Sequence, residues 1–143
     1  MGEVIELEIP ARPEYLDLAR MVVGNAAALD AHVAPQQIND LRLAVSEACT
    51  NAIEAQVAAS RDEGIAILCR FDEDKIEVEV RDRGGGFDPG GVAPLPEPDD
   101  PARLDYERGL GITLMRSLTD ETDFVAREEG MAVRLVLYTD NGR

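Results

Sequence analysis

Glu47 and Asn51 stand four residues apart in LRLAVSEACTNAIEA. A carboxylate and an amide one helical turn apart can together face a metal-bound phosphate. Asp82 closes an alternating segment in VRDRGGGFD and is followed at once by Arg83 and three glycines. An aspartate at a strand end can accept from the amino group of a base, and the glycines leave room for the rest of a nucleotide. Arg108 precedes Gly109 and Gly111 in ERGLGI. A glycine pair that opens a helix can present backbone N–H groups to phosphate. In this order the three stretches predict one adenine-nucleotide pocket.

Taken singly, each stretch is ordinary. Glu-x-x-x-Asn on a helix is usually a solvated face, and Asp-x-Gly-x-Gly after a strand is usually a turn. The combination carries the expectation, because the surrounding elements would bring the three together. Residues 4–9 alternate apolar and acidic side chains, as an edge strand does, until Pro10 and Pro13. Tyr15, Leu18, Val22, Ala26 and Leu29 recur at spacings of three and four, which predicts one amphipathic helix ending before Pro35. A second helix follows with Ile38, Leu41, Val45, Ala48 and Ala52 as its buried stripe. At about 100° per residue, Glu47 and Asn51 lie roughly 40° apart at the edge of that stripe.

Residues 65–71 form a nearly continuous apolar run, and residues 76–81 alternate with Glu77, Glu79 and Arg81, so two strands pair and the second delivers Asp82. Between Gly84 and Arg108, glycines, acidic residues and prolines 89, 94, 96, 98 and 101 predict a mobile loop acting as a lid. Leu110, Leu114, Met115 and Leu118 predict a short helix after it. Residues 122–127 and 131–138 read as two closing strands. The expected architecture is a two-layer α/β (α+β) sandwich, a mixed and largely antiparallel sheet with helices on one face.

Composition narrows the function. A chain of 143 residues suits a single domain, 1–143, with one core. Its formal net charge of −15 would repel nucleic-acid backbones, and no Lys/Arg cluster offsets it, so nucleic acid is not an expected partner. No run approaches the roughly 20 apolar residues of a membrane span, and the N-terminus lacks a basic segment followed by an apolar run. A cytoplasmic protein is expected. Cys49 and Cys69 fall in apolar patterns and read as small buried side chains; His32, the only histidine, gives no zinc constellation.

The motifs resemble those of the GHKL ATPases, a superfamily with a Bergerat fold that includes sensor histidine kinases, gyrase-type ATPases and small anti-sigma factor serine/threonine kinases. SEACTNAIEA looks like the N box, DRGGGFD the first glycine box and ERGLGITLM the second, and the likeness covers essentially the whole chain. It implies ATP and Mg²⁺ as cofactors, with Asn51 coordinating Mg²⁺, Asp82 accepting from the adenine amino group and Glu47 as general base. It further implies nucleotide contacts and lid hinges at Gly84, Gly86, Phe87, Gly109, Leu110 and Gly111, and an ATP lid at about 84–108. Ala55 stands where the family often has His, and Met131 and Ala132 where it often has a Thr near the adenine.

Within that superfamily these 143 residues leave no room for a dimerising phosphoacceptor helix or a transducer domain, so neither is expected, and the strand-helix-helix start with SEACTN resembles the anti-sigma kinases. The resemblance implies an ATP-binding anti-sigma factor that phosphorylates an anti-anti-sigma antagonist of the STAS type and sequesters a sigma factor, with a homodimer among the expected assemblies. A non-catalytic ATP/ADP-dependent switch and a detached histidine-kinase-like catalytic domain are the alternatives. Phosphoryl transfer itself needs a metal, a carboxylate on the attacking hydroxyl and a cation for the transferring group, roles that Asn51, Glu47 and Arg108 can fill. No Gly-x-x-x-x-Gly-Lys-Ser/Thr loop and no His-Arg-Asp or Asp-Phe-Gly pair occurs, which excludes P-loop and eukaryotic-kinase motifs.

Overall fold

Branched and apolar residues on alternate positions give this chain its strands. In β1 (Glu3–Ile9), β2 (Ile65–Phe71) and β3 (Lys75–Arg81), Ile9, Ile65, Ile67, Cys69, Ile76, Val78 and Val80 all turn to one buried face. The structure is a computed structural model that describes residues 3–30, 32–84 and 103–140, with side chains left out over 103–110. The remaining elements are α1 (Leu16–Ala27), α2 (Pro35–Ala58), α3 (Arg103–Leu118), β4 (Glu121–Arg127) and β5 (Gly130–Tyr138). The strand order is β1-β2-β3-β5-β4. Every described pairing is antiparallel, so the parallel component of the expected mixed sheet is absent among the described residues. The α+β class and the helices packed on the sheet are as expected.

One apolar core lies between the layers, with Leu41, Val45 and Ala48 of α2 facing Val78, Val80 and Leu135 of the sheet. α2 packs against α1 on one side and α3 on the other, and touches β2, β3 and β5 beneath. Its N-terminus is set by Pro35 at the first turn and by Gln37. The Gln37 Oε1 accepts from the Ala34 N–H (2.9 Å), while Nε2 donates to the Tyr138 carbonyl (2.7 Å). The outer face of the sheet is a charged lattice. Arg134 joins Glu77 (2.6 Å) to Asp123 (2.9 Å), and Arg70 meets Glu77 at 2.8 Å.

Two expectations about the helices are corrected. In α1 the buried residues are Ala19, Val23, Gly24 and Ala27, whereas Leu18 and Leu29 of the expected stripe are exposed, at 42% and 85%. Small side chains let α1 and α2 approach closely, and that advantage outweighed side-chain size in choosing the buried face. α3 begins at Arg103 and not after Gly109. The Leu-Asp-Tyr-Glu-Arg stretch carries good helix formers, and they extend the helix backward into the segment expected as lid. The rest of that expected lid, residues 85–102, lies outside the described residues.

Candidate functional site

α2 delivers Glu47 and Asn51 to the face it shares with α3. Asn51 is only 6% exposed, and its Nδ2 has no hydrogen-bond partner among the described residues. Buried amides are almost always satisfied, so an orphaned one marks a place where a ligand acceptor completes the structure. Glu47, half-buried, lies one turn earlier. A Cβ built on Gly111 would come within 2.9 Å of Glu47 Oε2 and 3.9 Å of Asn51 Nδ2, so this glycine is what lets α3 close over the pair. The carboxylate, the unpartnered amide and the glycine of the second motif therefore share one spot, although 60 or more positions separate the first two from the third.

β3 delivers Asp82 just beyond its last residue. Asp82 is 4% exposed. Its Oδ1 accepts from the Gly84 N–H (2.8 Å) and the Met131 N–H (3.4 Å), and its own N–H donates to the Met131 carbonyl (2.9 Å). Burial pushes the Asp82 carboxyl above its ordinary range; the Gly84 and Met131 N–H groups and the charge of Arg127 draw it back without cancelling that shift. Gly130, at φ +154°, crosses directly over the Asp82 carbonyl, where no side chain fits. Gly84 in turn sits against the carbonyl of Ala55, with no space for a Cβ. Met131 and Ala132, at the positions where the family often has a threonine, are buried, and Met131 meets Asp82 through its backbone.

Residues 9–137 match the model of the histidine kinase-like ATPase domain. The chain belongs to that family. The family membership expected from SEACTNAIEA, DRGGGFD and ERGLGITLM is thereby borne out. Relatives within it include Serine-protein kinase RsbW of Bacillus pumilus (strain SAFR-032), 34% identical over 99% of this chain and 89% of that protein. The Serine-protein kinase RsbW of Bacillus subtilis (strain 168) is 33% identical over the same shares. That of Bacillus cereus (strain AH187) is 36% identical over 95% of this chain and 85% of its own length. The crystal structure of the RsbU and RsbW domains of Rv1364c from Mycobacterium tuberculosis shares the fold, with a TM-score of 0.70 at 17% identity. That match covers 96% of this chain, which spans 32% of the longer one.

Against the family's motifs, the structure brings Glu47, Asn51 and Gly111 together and places Asp82 with Gly84. Gly86 and Phe87 lie outside the described residues. Arg108, Gly109 and Leu110 fall within α3, and the side chains of Arg108 and Leu110 lie outside the described residues. Gly109 and Gly111 do not open the helix, as the sequence led us to expect; they sit in its interior, where Gly111 serves close approach to α2. Among the described residues no three His, Cys, Asp or Glu side chains cluster as a metal site. Cys49 and Cys69 are buried, as expected, and burial pushes their thiols up to about 12 and about 11, away from the reactive thiolate.

Sequence reasoning overlooked Gln56 and Arg61. Gln56 is wholly buried and continues the α2 stripe four residues beyond Ala52, so a polar side chain at a core position was the available signal.

Proposed function

We propose that this protein is an ATP-dependent serine/threonine kinase and anti-sigma factor. It phosphorylates an anti-anti-sigma antagonist of the STAS type and sequesters a sigma factor. The observation that carries the reading is the orphaned Asn51 amide, buried beside the Glu47 carboxylate under a glycine that clears the space. Its relatives' name, serine-protein kinase, supports the choice of acceptor.

In this reading Asp82 would hold the base of ATP and Asn51 would face its phosphates. Among the described residues the Nδ2 atom lacks an acceptor, and a phosphate oxygen would be one; the amide oxygen would be the metal ligand. Mg²⁺ suits such a site, because it is usually held by one or two protein groups plus substrate phosphates, without a protein cage. When bound it neutralises phosphate charge that a chain of net charge −15 would otherwise repel. Glu47 orients the acceptor hydroxyl and takes its proton. Arg108 would supply a cation for the transferring group, and Gly84, Gly86, Phe87, Gly109, Leu110 and Gly111 would line the nucleotide, with the segment between Asp82 and α3 as lid.

Helices and sheet share a single core, which supports one domain over 1–143. No described helix is long and apolar enough to cross a membrane. A cytoplasmic site of action, a homodimeric assembly and the absence of nucleic-acid and membrane partners complete the proposal. Incubation with labelled ATP, Mg²⁺ and candidate antagonist proteins, followed by phosphosite mapping, tests it. Label on a partner Ser or Thr is expected. ATP-dependent partner binding with no transfer would replace the kinase by a nucleotide switch, and no ATP binding at millimolar concentration would remove the nucleotide reading altogether.

A further inference from the structure

The turn that follows Asp82 is fastened to the end of α2 by two side chains that no motif includes. Gln56 Oε1 accepts from the Arg83 N–H (2.7 Å), and its Nε2 donates to the Glu63 carbonyl (2.6 Å), so both ends of a wholly buried amide are used. Arg61 Nε donates to the Arg83 carbonyl (3.2 Å). The Arg83 peptide is thus gripped at its N–H and its C=O by residues five positions apart at one helix end.

That helix end is itself shaped for the purpose. The Ser60 N–H donates to the Val57 carbonyl (3.0 Å), and the Arg61 N–H to the Gln56 carbonyl (3.2 Å). These are the two bonds of a Schellman turn, with Ser60 at φ 55° in the position that glycine usually takes. A serine held in the left-handed region costs about 1 kcal/mol relative to glycine. The turn reverses the chain so that Arg61 comes back over Arg83.

We infer that Gln56 and Arg61 are positioning residues that set the nucleotide-base selectivity of this kinase by holding the Asp82–Gly84 turn. The inference rests on the reading of Asp82 as the base acceptor. The chain of contacts is short. Gripping Arg83 fixes where Gly84 lies, and the Gly84 N–H then holds Asp82 Oδ1. All hydrogen bonds to the Asp82 carboxylate among the described residues fall on Oδ1, which leaves Oδ2 as the oxygen that would meet a base. An acceptor aimed at an exocyclic amino group distinguishes adenine from guanine only while its direction is fixed, because guanine presents a carbonyl at that position. Loosening the turn lets the carboxylate rotate and tolerate either base. Neither Gln56 nor Arg61 touches the nucleotide in this scheme.

The test compares ATP and GTP dissociation constants, with Mg²⁺, for the full chain and for Gln56→Met and Arg61→Met. The ratio of the two constants is the readout, since a loss of folded protein scales both equally and cancels. Gln56→Met keeps the length of the side chain and removes both hydrogen bonds. It is expected to shrink the preference for ATP about tenfold, the effect of losing a hydrogen bond of ordinary net strength. Arg61→Met alters an exposed side chain and is expected to shrink it about threefold on the same scale; this variant carries the test if Gln56→Met does not fold. An unchanged ratio in folded variants, beside a wild type that prefers ATP, overturns the inference and leaves Asp82 as the base reader. A wild type that binds both nucleotides equally removes Asp82 from that role, and the positioning role with it.

Discussion

The two ends of the proposed nucleotide site are built on opposite principles. At the base end, Asp82 has N–H donors on Oδ1, a backbone bond to Met131, and a following turn clamped by Gln56 and Arg61. At the phosphate end, Asn51 is buried with an unpartnered Nδ2, and space at Gly111 is kept by the absence of a side chain. One end is complete without ligand; the other is left for the ligand to complete. Recognition benefits from groups fixed beforehand, because a rigid acceptor discriminates between bases. Chemistry needs polar groups that find their partners only with the reactant, and such groups cost stability in the free protein.

That contrast can be broken most decisively at Glu47. Glu47→Gln is expected to lower phosphate transfer to the partner about 10²- to 10⁴-fold, the usual share of a general base, with ATP affinity within a few-fold of wild type. Transfer at the wild-type rate, measured with labelled ATP, would discard Glu47 as the base while keeping the kinase. Gly111→Ala comes next. Its methyl would stand 2.9 Å from Glu47 Oε2 and push the carboxylate aside, so transfer is expected to fall about 10- to 100-fold. The same change should raise stability by as much as about 1 kcal/mol in urea unfolding, since alanine is the better helix former. A variant that gains stability and loses no activity would show that the phosphate end is not tuned in this way.

Asn51→Ala is expected to weaken Mg²⁺-dependent ATP binding about tenfold in calorimetry, the worth of one good polar contact. Its unfolding free energy should change by less than about 1 kcal/mol, because the amide it deletes is already unsatisfied. A large loss of stability would show that the phosphate end is held as firmly as the base end. The smallest effect is the pH dependence from Asp82. Its carboxyl is raised on folding, so between the ordinary aspartate range and the raised folded value the native state binds more protons than the unfolded one. Stability contributed there is present at low pH and lost as pH rises through that window. Asp82→Asn should flatten this part of the stability profile, whereas a profile unchanged from wild type would mean the burial at Asp82 carries no proton linkage.

Much of this was legible in the sequence. The periodicity of 65–71 and 76–81 placed two strands correctly and put Asp82 at the end of the second, because alternation over a half-covered sheet leaves little freedom of register. Glu47 and Asn51 were found together because four residues on a helix always meet. The α1 face was misread. Leu18 and Leu29 suggested burial by size, but Ala19, Val23 and Ala27 pack because they are small. Gly109 and Gly111 suggested a helix start, since glycine is punctuation in most chains; here a neighbouring helix requires one of them. Gln56 gave one signal, a polar side chain on the buried stripe of α2, but what it and Arg61 hold was invisible, because their partners are backbone atoms of Glu63 and Arg83 and backbone atoms leave no trace in residue types.

The contact between Gly84 and the Ala55 carbonyl restricts how descendants of this sequence can drift. A side chain at position 84 has no space unless the last turns of α2 move, and those turns carry Gln56. A substitution there would therefore disturb the grip on Arg83, and because the obstacle is backbone, no change of side chain at 55 or 56 removes it. Drift at this corner is confined to the positions around Gly84.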